Sequence, residues 1–72
     1  MVNVNKLKGK IVERNLTIEK LANEIGVNKS TLYRKLDGCG EGFLIKEADE
    51  IVKILKLDAE EAAAIFFSQF VA

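Results

Sequence analysis

The stretch Thr17–Leu36, TIEKLANEIGVNKSTLYRKL, constrains the chain more than any other. Thr17 suits a helix N-cap, because its hydroxyl can accept from an otherwise unpaired backbone N–H, and Glu19 adds a favourable negative charge in the first turn. Ile18, Leu21, Ala22 and Ile25 then form one apolar face. Gly26 adopts a positive φ at no steric cost, so it can end that helix and turn the chain sharply. Asn28 caps the next helix, which runs to Leu36 or Asp37 with Leu32 and Leu36 inward. Two short helices joined at Ile25-Gly26-Val27 are expected, with the small residues Ala22 and Gly26 where steeply crossing helices would need them.

The flanking segments also read as helices. Val4, Leu7, Ile11 and Val12 fall at helical spacing within a helix from about Asn5 to Asn15, with Lys6, Lys10 and Arg14 as a basic row on another face. Gly9 there is either a close helix contact or a weak point. Gly38-Cys39-Gly40-Glu41-Gly42 is a loop. A fourth helix over roughly Lys46 to Lys56 aligns Ala48, Ile51, Val52 and Leu55. Asp58 and Glu61 form a capping-box pattern opening a fifth helix. There is no proline, no strand pattern and no repeat. The expectation is one all-α domain over 1–72, with five short helices.

Composition sharpens the functional reading. The net charge is zero, yet residues 1–40 hold eight Lys/Arg against four acids, whereas residues 41–72 hold three against seven. The basic half contains the central helix pair, as a polyanion-facing surface would require. On the second helix of that pair, Ser30, Tyr33, Arg34 and Asp37 lie opposite Leu32 and Leu36. Arg can donate two hydrogen bonds to guanine, and Ser pairs with several base edges. Lys29 and Ser30 with Arg34 are the candidate base readers, and Tyr33 lies beside them near the edge of the apolar face. Thr31 and Lys35 sit to one side as candidate phosphate contacts, with Lys10 and Arg14 as further ones. Asp37 is expected to cap the helix end or pair with Arg34.

With one cysteine and no histidine, neither a metal site, a cofactor nor a catalytic constellation is expected. Cys39 reads as a bystander thiol, and Glu47, Asp49 and Glu50 as a solvated helix face. No apolar run approaches membrane-spanning length, and the N-terminus lacks a signal-peptide block, so a cytoplasmic protein is expected. The last helix carries two apolar stripes: Ala62, Ile65, Phe66 and Phe70, then Ala63, Phe67 and Val71. One stripe suffices to dock a helix. Ile65, Phe66, Phe67 and Phe70 are therefore expected to form a homodimer seam.

Leu21-Ala22, Ile25-Gly26-Val27, Ser30-Thr31-Leu32-Tyr33-Arg34 and the closing Gly38 resemble the bacteriophage repressor and Cro family of helix-turn-helix transcriptional regulators. The ending Ala64 to Phe67 is similar to small regulators of prophages of Gram-positive bacteria. The resemblance implies a five-helix lambda-repressor-like fold with a central helix-turn-helix, binding double-stranded DNA as a homodimer on palindromic operators. It implies that Lys29, Ser30 and Arg34 meet base edges with Tyr33 beside them, and that Asn28 lies near a phosphate. Where many members carry a polar residue opening the second helix and reaching the DNA, this chain has Ile18, so either Thr17 makes that contact or it is missing. Within 72 residues no ligand-sensing module is expected, so repression would come from occupying a promoter, without a small-molecule effector. The alternative is a protein-interaction module, antitoxin- or anti-repressor-like, docking through the aromatic C-terminal helix.

Overall fold

The computed structural model describes residues 2–37 and 42–67. These form five helices and no strand: α1 (Val4–Glu13), α2 (Ile18–Ile25), α3 (Lys29–Asp37), α4 (Ile45–Ile54) and α5 (Ala59–Phe66). The helices are short, eight to ten residues each. Isolated helices of that length are unstable in water, so their ends and their packing must hold them.

Three of the four connections solve that problem identically. After α1, α2 and α4 come Asn15, Gly26 and Lys56, with φ of 59°, 77° and 53°. The next residue in each case, Leu16, Val27 or Leu57, donates its N–H to the carbonyl five residues back, on Ile11, Ala22 or Val52, at 3.0 Å. This closure satisfies a carbonyl that the helix end would otherwise orphan. It also sends an apolar side chain inward: Leu57 is buried, and Leu16 and Val27 pack against the core.

The residue after each apolar one then caps the next helix. Thr17 Oγ1 accepts from the Lys20 N–H at 3.1 Å, and Asn28 Oδ1 from the Ser30 N–H at 2.8 Å. Asp58 Oδ1 accepts from the Glu61 N–H at 2.7 Å while Glu61 Oε1 accepts from the Asp58 N–H at 3.1 Å, a complete capping box. Each three-residue joint, Asn15-Leu16-Thr17, Gly26-Val27-Asn28 and Lys56-Leu57-Asp58, thus ends one helix, anchors in the core and starts another.

The core gathers Leu7 and Ile11 of α1, Leu21, Ala22 and Ile25 of α2, and Leu32 and Leu36 of α3. Ile51, Leu55 and Leu57 join from α4 and its joint, with Ile65 and Phe66 from α5. Helix α2 packs on both α3 and α4, and α1 packs on α5.

Three expectations change, and one of the two readings of Gly9 is removed. Helix α1 starts at Val4, capped by Asn3, and stops at Glu13, because Asn15 takes the left-handed conformation. Val12 is 72% exposed and leaves the apolar stripe. Gly26 is exposed, and a Cβ there would meet nothing within 4 Å, so its positive φ, not its size, is what the turn uses. Gly9 likewise makes no close contact.

Candidate nucleic-acid interface

Burying Leu32 and Leu36 rotates the opposite arc of α3 into solvent. Lys29, Ser30, Tyr33, Arg34 and Asp37 are exposed there, Tyr33 at 47%. Thr31 and Lys35, on the flanks, are half-buried. Asn28 stands exposed at the start of this face and Thr17 at the start of α2. Both side-chain oxygens already serve as caps, which fixes their rotamers. The face is therefore a rigid helical surface with a hydroxyl, a phenol and a guanidinium.

Its electrostatics are nearly unconstrained. Lys29 Nζ lies 3.7 Å from a Glu19 carboxylate oxygen, both side chains more than half exposed. Such a surface pair is worth about 0–1 kcal/mol, so Lys29 is readily redirected. Among the described residues Arg34 has no ion-pair partner, and the expected Arg34–Asp37 pair is not formed.

Other candidate phosphate contacts are committed elsewhere. Lys35 Nζ donates to Glu47 Oε1 at 2.6 Å and lies 5.8 Å from the centre of the Phe43 ring. The same Glu47 oxygen accepts the Leu44 N–H at 2.9 Å, the opening bond of α4. Burial opposes ionisation of Glu47, but the Leu44 N–H and the Lys35 ammonium outweigh it and hold the carboxyl below its ordinary range. Lys35 is thus a tether from α3 to α4, its ammonium engaged within the fold. Glu47, in turn, is buried and not part of a solvated face.

Lys10 and Arg14 are engaged in the same way. Lys10 pairs with Glu13 at 2.8 Å and with Glu61 on α5. Hydrogen bonds to Glu13 and then Glu61 push the Lys10 ammonium up, and the bond with Lys10 holds both carboxyls below their ordinary range. Arg14 Nε donates to the Leu55 carbonyl at 2.8 Å. These two cations clip α1 to α5 and to the end of α4.

The expected dimer seam divides. Ile65 (0% exposed) and Phe66 (8%) belong to the core of their own chain, Phe66 meeting Phe43 edge-on at 6.4 Å between ring centres. Ile65 and Phe66 are consumed by folding and leave little surface for a partner. Phe67 is 59% exposed, and Phe70 lies outside the described residues, as does Cys39. Sequence reasoning missed Leu44 and Ile45, exposed at 61% and 90%. The signal was present in Phe43-Leu44-Ile45, because three consecutive apolar residues at a helix start cannot all face inward. All three exposed side chains lie within two residues of the Phe43–Phe66 contact.

Among the described residues no group of three or more acidic, cysteine or histidine side chains converges as a metal site. No described helix is long and apolar enough to cross a membrane. Comparison of the chain with family models, curated proteins and solved structures finds no match.

Proposed function

We propose that this chain is a cytoplasmic, sequence-specific double-stranded-DNA-binding transcriptional regulator of the phage repressor and Cro kind. Helices α2 and α3 act as its helix-turn-helix. The observation that carries this reading is the contrast within the basic half. Lys10, Arg14 and Lys35 are tied into the fold, whereas the outer face of α3 offers Ser30, Tyr33 and Arg34 to solvent.

In this mechanism α3 lies in the major groove. Arg34 donates to O6 and N7 of a guanine, and Ser30 reads the neighbouring base. Lys29 exchanges its exposed Glu19 for a phosphate, which adds affinity without base preference. Thr17 and Asn28 face the backbone at the starts of their helices. Two copies on a palindromic site set their α3 helices about 34 Å apart, one turn of duplex. Bound at a promoter, the dimer excludes polymerase.

A second reading is favoured by the exposed Leu44, Ile45 and Phe67: a module that docks a protein partner through this apolar surface. Titrating duplex binding against salt separates the two. DNA reading predicts a steep fall in affinity, because each neutralised phosphate releases counterions. Salt-insensitive or absent duplex binding contradicts it.

A further inference from the structure

Beside α3 an open groove of about 320 Å³ runs over α1 and the first joint. That volume falls at the lower end of the range for small-molecule sites. Buried Ile11 floors it, and Val12, Leu16 and Ile18 line it with apolar surface. Val12 is 72% exposed, so the groove is open to solvent at that side. Each of its three polar side chains can donate a hydrogen bond, and one is a cation. Lys8 lines one side and has no ion-pair partner among the described residues. The Thr17 oxygen accepts a backbone N–H and keeps its own proton to donate. The Tyr33 phenol is the third. No carboxylate lines the groove.

We infer that this groove binds an amphipathic organic monoanion, a carboxylate on a short alkyl or aryl chain. Its carboxylate meets Lys8 and the hydroxyls, and its chain covers Val12, Leu16 and Ile18. Charge complementarity selects this occupant. An uncharged body would leave Lys8 without a counter-charge, and a cation would be repelled by it. Site occupancy stands independently of the DNA reading. One consequence rests on that reading: Tyr33 and Thr17 belong to both surfaces, so the anion competes with duplex and acts as an inducer. The sequence alone implied no such ligand.

The test uses the full chain, with octanoate below its micellar concentration as probe and octanamide as its uncharged counterpart. Methyl NMR signals report where each lands. The expected result is saturable octanoate-dependent shifts at Val12, Leu16 and Ile18. Binding is about five-fold weaker or more for octanamide, and likewise for Lys8→Gln. Val12→Glu, at an exposed site, removes octanoate binding without unfolding. Equal binding of both probes, shifts centred on Leu44, Ile45 and Phe67, or no saturable shifts overturn the inference. Because this readout contains no DNA, its failure is distinct from failure of the regulator reading. That reading fails when duplex binding is absent with the groove empty.

Discussion

Two sets of cations on the same small domain are used in opposite ways. Lys10, Arg14 and Lys35 each reach a carboxylate or carbonyl on, or at the end of, another helix, joining α1 to α5 and to the end of α4, and α3 to α4. Among the described residues, Arg34 and Lys29, on α3, find at most an exposed neighbour. The difference shows that a chain of zero net charge can still keep a cationic surface in reserve. Glu13, Glu47 and Glu61 serve the tethers, whereas on the outer face of α3 Lys29 meets the exposed Glu19. Charge counted along the sequence measures neither set, because it cannot tell a tethered cation from an exposed one.

The largest effect separating the sets is on binding. Arg34→Ala is expected to relax discrimination at one base pair by about 1–3 kcal/mol and to leave stability within about 0.5 kcal/mol. Duplex titrations over single-base variants, with a denaturant midpoint, measure both. An equal loss for every duplex would place Arg34 on phosphate. Glu47→Ala should do the reverse. It strips partners from Lys35 and the Leu44 N–H, lowering stability by about 2 kcal/mol. Lys35→Met is the matching probe: the salt slope of duplex binding should not change, whereas a phosphate contact would lower it by about one.

Acid offers a smaller, graded version of the same contrast. Glu13, Glu47 and Glu61 are held below the ordinary 4.5. Their contribution is therefore present above that value and lost as pH falls through the lowered folded values. Lys10 is raised above 10.5, so its share is present below that pH and lost as alkali passes the folded value. Denaturant midpoints from neutral to strongly acidic pH should fall, and Glu47→Gln should flatten the fall. An unchanged slope would mean that the Glu47 tether contributes nothing. The smallest effect lies away from both sets. Gly9 is exposed within α1 with open space about it, so Gly9→Ala should raise stability by about 1 kcal/mol. A loss instead would reveal a contact on that face.

What could be read from sequence was what is local. Thr17, Asn28 and Asp58 announce helix starts because a cap needs only its own next three residues, and Gly26 announces a positive φ because few residues tolerate one. Asn15 and Lys56 occupy the same left-handed position; asparagine tolerates it and hints at it, whereas a lysine side chain does not announce it. The triplet rhythm of turn residue, apolar anchor and cap would have revealed both. The partners of Lys10, Arg14 and Lys35 were hidden for a different reason. Leu55, which receives the Arg14 bond, is 41 residues away, and only the packing of α1 against the later helices brings it near. The same packing claims Ile65 and Phe66 for the core and leaves Leu44 and Ile45 outside it.

The most direct test of the account is selection of bound sequences from a random duplex pool by the wild-type chain, read by sequencing. The account predicts an enriched palindrome whose half-sites lie about one helical turn apart, with a guanine whose enrichment disappears in Arg34→Ala. No enrichment at low salt would contradict DNA reading by α3.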